Sequence, residues 1–212
     1  MSDPAIHIIV ELDAQPDKAE EIFQLGQVLA AQSEKEDGNI YYSFVKAKQP
    51  ADKKSDDYYI IEKYVNNAAV EFHFQTDHFK NMVPEIIGKG ASIKSLKQAV
   101  ELGKGERQKP HAIVDPDGKA LGLVATLVVT DDKEFVEVAQ KYIEASREED
   151  GCLGFTFAKV KESIENEYFF IELWTNESAL AAHEVASKKS PLQPALTACC
   201  TLKQVITAYV KA

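Results

Sequence analysis

What most restricts the fold of this chain is that its sequence repeats itself. Displacing it by 113 residues lays Ser33, Glu36, Asp37, Gly38, Phe44 and Lys46 on Ser146, Glu149, Asp150, Gly151, Phe157 and Lys159. Further along the displacement becomes 110, as though one hairpin were shorter in the second copy. Tyr58, Ile61, Glu62, Asn66, Ala69 and His73 then meet Tyr168, Ile171, Glu172, Asn176, Ala179 and His183. Conservative pairs fill the intervals: Ile40 with Leu153, Tyr42 with Phe155, Tyr64 with Trp174. A period this long exceeds a solenoid unit and has the size of a small domain. The sequence therefore predicts two homologous domains, 1–102 and 120–212, around a linker at 103–119. Gly, Lys, Pro and Asp dominate that linker, and its Asp115-Pro116-Asp117-Gly118 run signals a turn.

Each copy carries the same order of patterns. Ile6 to Leu12 and Leu121 to Val129 are rich in β-branched and apolar residues and predict strands. Helices follow, with Pro16 expected in a first turn and Ile22, Leu25, Gly26 and Leu29 along one stripe. The counterpart stripe is Phe135, Val138, Ala139 and Tyr142, with Asp131 or Asp132 as N-cap. Asp37-Gly38 and Asp150-Gly151 are read as left-handed helix ends. Two strands come next in each copy, Asn39 to Lys48 and Tyr58 to Val65, then Cys152 to Lys161 and Glu167 to Thr175. A histidine-bearing helix starts near Ala68 or Ser178, and a last strand closes each copy at Lys94 to Leu102 and Thr201 to Tyr209.

This β-α-β-β-α-β order is the split plan of ferredoxin-like domains, an α+β class. Tyr58-Tyr59-Ile60-Ile61 and Tyr168-Phe169-Phe170-Ile171 are apolar on both strand faces, so neither face can be left in water. The expectation is two tandem domains packed sheet to sheet, the fused second copy acting as partner at a high effective concentration.

Bulk properties narrow the function. Thirty-four acidic against 24 basic residues give a formal charge of -10, which repels nucleic acid and acidic membrane surfaces. No apolar run is long enough for a membrane helix, and Met1-Ser2-Asp3-Pro4 does not resemble a signal peptide. Cys152, Cys199 and Cys200 form no disulfide or zinc pattern, so they read as reduced thiols of a cytoplasmic protein.

The stretches Tyr58 to His73 and Tyr168 to His183 resemble the signature of the antibiotic biosynthesis monooxygenase family. In both an aromatic strand, a Glu, a Tyr or Trp and an Asn lead to a helix-borne His, and the Glu-Asp-Gly turns match as well. The resemblance covers nearly all of the chain outside the linker. It implies an intrachain dimeric α+β barrel, a pseudo-dimer within one chain that leaves further homo-oligomers open. It also implies a small aromatic or quinol-like substrate oxidised with O₂ and no cofactor. Relatives that degrade haem carry an Asn on the first strand and a haem-ligating His further along. Here those strands lack Asn, and Val83 and Lys188 stand near the latter position. Some relatives place an Arg in the pocket, whereas Arg107 and Arg147 fall in the linker and at a helix end.

Cofactor-free oxygenation needs a base, an apolar aromatic pocket and donors that steady an anion. His73 or His183 would be the base, Glu62 or Glu172 would orient it, and Tyr64, Trp174, Tyr42 and Phe155 would line the pocket. A blander reading of each His is a packed side chain bonded to a nearby acid. His7, His78 and His111 are read as standing alone, with no metal site. Two further functions stay open. One is a proton-transfer isomerase of small dicarbonyls. The other is a non-catalytic small-molecule-binding or stress-response module.

Overall fold

The computed structural model describes residues 3–48, 57–103 and 120–210. Linker residues 104–119 with the Asp115–Gly118 turn, Arg107 and His111, and the connection at 49–56, lie outside the described residues. Contacts divide the chain into two compact units, Met1–Gln98 and Ala99–Ala212.

The first unit runs β1 (Ile6–Ala14), α1 (Ala19–Ser33), β2 (Asn39–Lys46), β3 (Asp57–Tyr64), α2 (Asn67–Gln75), α3 (Asp77–Gly88) and β4 (Ala91–Glu101). The second repeats this as β5 (Leu121–Val129), α4 (Asp132–Ser146), β6 (Cys152–Val160), β7 (Glu167–Trp174), α5 (Glu177–Lys189), α6 (Gln193–Cys199) and β8 (Cys200–Tyr209). Strand order is β2-β3-β1-β4 in one and β6-β7-β5-β8 in the other. Ile8 pairs with Glu62 and Leu123 with Glu172 in antiparallel register, so both copies set their mid-strand acid at the same place. The last residues of β4, Ala99–Glu101, group with the second unit and pair antiparallel with Val160–Ala158 of β6. Every residue of β3 is buried, as a strand apolar on both faces requires.

Three details differ from the sequence reading. Pro16 lies ahead of α1, in a turn closed by the Lys18 N–H donating to the Gln15 carbonyl. In both copies the histidine-bearing helix is followed by a separate one, α6 after α5 and α3 after α2. Between α2 and α3 Thr76 takes an extended backbone, and its Oγ1 accepts from the Phe79 N–H while donating to the His73 carbonyl. A hydroxyl that caps the next helix competes with continuation of the previous one. Gly38 and Gly151 lie beyond the helix ends, in turns where the Asn39 N–H donates to the Glu36 carbonyl and the Cys152 N–H to that of Glu149.

Those glycines have φ of 86° and 82°, and a Cβ on either would meet the Cβ of Ala69 or Ala179 at 2.7 or 2.6 Å. Left-handed backbone and the close approach of a helix both require glycine there. Gly38→Ala and Gly151→Ala should each destabilise by about 1–3 kcal/mol in chemical denaturation.

Candidate active site

The Glu-Asp-Gly turn is what builds the site. Gly38 rests against Ala69 in the first turn of α2, whose start is fixed by the Asn66 side chain accepting from the Ala69 N–H at 2.9 Å. Four residues on, one helical turn, His73 points the same way and meets the first residue of that turn, Glu36. Its Nδ1 lies 2.8 Å from Glu36 Oε1, and Nε2 of His78, at the start of α3, lies 2.6 Å from the same oxygen. His78, read from sequence as isolated, is thus part of the cluster. The ligating atoms of Glu36, His73 and His78 all lie within 4.8 Å of one another. A bound zinc at about 2.0–2.1 Å would hold its tetrahedral ligands about 3.3 Å apart. The shorter N–O separations seen here are those of hydrogen bonds.

On its other side His73 faces β3. Its Nε2 is 3.8 Å from Glu62 Oε2, too far for a hydrogen bond, and has no hydrogen-bond partner among the described residues. The same Glu62 oxygen accepts from the Tyr64 hydroxyl at 2.9 Å. Burial pushes the Glu62 carboxyl up to about 8, opposed by the Tyr64 hydrogen bond and reinforced by the Glu36 charge. Burial likewise holds His73 below its ordinary value, against the raising effect of Glu36. Tyr42 and Tyr64 phenols are held above theirs, first by desolvation and then by Glu62. The site keeps Glu62 protonated and His73 neutral near pH 7.

Glu62 opens onto a cavity of about 60 Å³ between the sheet and the helices of the first unit. Ile8, Val10 and Leu12 of β1, Leu29 of α1, and Val83 and Ile86 of α3 help line it. Tyr42 and Glu62 bring the polar groups, and Phe74 and Phe79 cover the side nearest His73.

The second unit repeats the polar chain but fills the space. His183 Nδ1 lies 3.0 Å from Glu149 Oε2, Nε2 is 3.8 Å from Glu172 Oε2, and the Trp174 indole donates to that oxygen at 2.9 Å. Burial raises the Glu172 carboxyl, opposed by His183 and Trp174. Where the first copy has Leu29, Tyr42 and Ile60 the second has Tyr142, Phe155 and Phe170. Tyr142 stacks on Phe170 at 6.0 Å and 12°, Phe155 packs edge-on to both, and all three belong to one continuous core. The Tyr142 hydroxyl also lies 3.5 Å from His183 Nε2, the nitrogen left without a partner in His73.

Of the residues singled out from sequence, Glu62 and Tyr42 face the cavity. His73 and Tyr64 stand behind Glu62, their rings 5.3 Å apart. His183, Glu172, Trp174 and Phe155 form the matching group, with Trp174 stacked on His183 at 4.6 Å. Arg147 caps α4 and donates from Nε to the Phe155 carbonyl at 2.8 Å. Sequence reasoning missed Glu36 and Glu149 as the acids that hold the histidines. The signal was present, since both repeat between copies, but it was assigned to turn formation.

Two split-βαβ units, each with an acid–histidine pair on its helix face, define the class as a duplicated ferredoxin-like α+β protein. The family model for antibiotic biosynthesis monooxygenase matches residues 5–85 and 125–187, and the chain belongs to that family. An uncharacterised protein from Synechocystis sp. (strain ATCC 27184 / PCC 6803 / Kazusa) is 34% identical over 102 residues, 46% of this chain. The match spans 66% of that relative's length. A candidate monooxygenase from Fusobacterium nucleatum subsp. nucleatum superposes with a TM-score of 0.77 at 13% identity, covering 100% of this chain and 94% of the other. Another from Lactobacillus acidophilus NCFM gives 0.71 at 18%, covering 99% and 95%. These likenesses show that the α+β fold is shared with those structures. Among the described residues no helix is long and apolar enough to cross a membrane.

The buried acid has a thermodynamic signature. A carboxyl titrating near 8 in the fold and about 4.3 unfolded binds more protons when folded, so its contribution to stability falls as pH rises between those values. His73 contributes the opposite slope, lost as pH falls below about 6.5. Glu62→Gln keeps the shape and an acceptor for Tyr64 but cannot ionise. Relative to the parent it should gain roughly 2–4 kcal/mol more at pH 8.5 than at pH 5.5 in urea titrations. Equal differences at the two pH values would contradict a protonated Glu62.

Proposed function

We propose that the chain is a cofactor-free monooxygenase that oxidises a small phenol or hydroquinone with O₂ in the first unit, in a cytoplasmic setting. The carrying observation is the apolar cavity whose ionisable lining is Glu62 and Tyr42. An apolar cleft with few convergent polar groups and a perturbed acid is what small-molecule chemistry favours. At about 10–15 Å³ for each water-sized position, the cavity has room for roughly four to six non-hydrogen atoms. A phenol has seven such atoms, so even a single ring requires the apolar walls to give way, and a fused polycycle is disfavoured.

The reaction balances without an external reductant, since a phenol plus O₂ gives a quinone plus water. Ionised Glu62 accepts the phenol proton, and the resulting phenolate passes an electron to O₂ far more readily than the phenol does. After the two recombine on the ring, the peroxide loses water as Glu62 returns its proton. Apolar walls keep bulk water from competing with O₂ for the anion. His73 acts behind Glu62 as part of one acid–base unit, and the Tyr64 hydroxyl steadies the carboxylate.

Oxygen uptake with a panel of single-ring phenols and hydroquinones tests this reading. Turnover should fall by about 10²–10⁴-fold in Glu62→Gln, the span expected for loss of a general base. Activity that persists without oxygen, or absence of uptake across the panel, would reject it.

The division between copies gives a second test. Leu29→Tyr imports the second unit's filler and should abolish ligand binding, read by calorimetry, while the melting temperature stays within a few degrees. His183→Gln, in the filled unit, should leave turnover intact.

A further inference from the structure

A buried carboxylic acid whose cavity is filled by a ligand can act as a base only if its own proton has somewhere else to go. Around Glu62 the neighbouring elements offer one route. Tyr64, on the same strand, donates to it and is itself a weak acid. Tyr42, across the sheet on β2, is deeply buried. Among the described residues, His73 presents a bare nitrogen, its fully buried Nε2, 3.8 Å from Glu62. A buried ring nitrogen left without a partner is destabilising, and such an exception calls for a reason.

Beyond His73 the chain continues outward. Its Nδ1 reaches Glu36, whose side chain is only 4% exposed, and Glu36 reaches His78, whose side chain is 17% exposed. Here the copies differ. In the second unit Glu149 is 28% exposed and so meets solvent itself, and Lys188 stands at the position of His78. In the first unit Glu36 is covered, and a further titratable residue extends from it to the surface.

We infer that Glu62, His73, Glu36 and His78 form a proton relay that loads and unloads the buried acid, with His78 as its solvent terminus. The inference rests on the proposed role of Glu62 as base. Each step breaks one O–H or N–H bond and forms another. Glu62 gives its proton to His73 Nε2 while the Nδ1 proton passes to Glu36. At rest the His78 Nε2–H donates to ionised Glu36. Once Glu36 is protonated, His78 moves its own proton to Nδ1 by exchange with water, takes the Glu36 proton on the freed Nε2 and releases the Nδ1 proton to solvent. The 3.8 Å gap must shorten by about 1 Å for the first transfer, which requires the Glu62 carboxyl to swing toward His73 and loosen the bond it accepts from Tyr64. Glu62 is the catalytic residue, because it touches the cavity. His73, Glu36 and His78 act through it.

The relay can be read without substrate. A pH jump from 6 to 9 followed by time-resolved infrared spectroscopy reports the protonated carboxyl band of Glu62, assigned by its loss in Glu62→Gln. In His78→Gln the decay of that band should slow at least tenfold, and added imidazole, a diffusible proton carrier, should restore it. Circular dichroism and melting curves check that His78→Gln and a second variant, His78→Leu, remain folded. Unchanged decay in both variants overturns the relay, and so does slowing that imidazole does not relieve. Absence of a protonated Glu62 band at pH 6 overturns it too. Oxygen uptake by the parent protein judges the oxygenase reading separately, so either can fail while the other stands.

Discussion

Much of this molecule is arranged around a single awkward requirement, a carboxyl group in the middle of a buried strand. Glu62 lies on β3, where both faces are covered, and ionising it there is unfavourable. The fold answers with a hydroxyl donor two residues along the strand and a histidine from α2. That histidine is in turn held by an acid from the turn between α1 and β2. Two consecutive elements and a turn well upstream of both therefore converge on one group. The turn's left-handed glycine, the Asn66 cap and the Thr76 break between helices each set the position of one member.

The fold was largely legible in the residues because it is written by local chemistry and then repeated. Glycines at two equivalent turns, asparagines at two equivalent helix starts and doubly apolar strands constrain backbone and burial directly. The candidate site was legible only in part. Repetition marked Glu62, His73 and their partners, but pairing depends on which acid reaches which ring nitrogen. Glu36 lies 37 residues before His73, and nothing in spacing announces that contact. His78 was invisible for a similar reason, since its approach to Glu36 depends on Thr76 ending one helix and starting another.

The two copies also show what repetition conceals. The polar chain of Glu, His and Glu is nearly superimposable by its distances, yet the apolar surroundings have parted. Exchanging Leu29 and Ile60 for Tyr142 and Phe170 turns hollow space into stacked rings. A protein interior is packed closely enough that such exchanges decide whether a ligand can enter at all. Identity at the charged positions thus says less about shared activity than volume at the neutral ones.

That divergence has an evolutionary corollary. Two identical subunits are bound by symmetry to inherit every substitution together, so a pocket kept open for chemistry is kept open in both, with the loss of packing that follows. Tandem duplication in one polypeptide removes that obligation. One half can be consolidated into a tightly filled body while its sibling retains a cavity and a buried acid, easing the usual conflict between durability and reactivity.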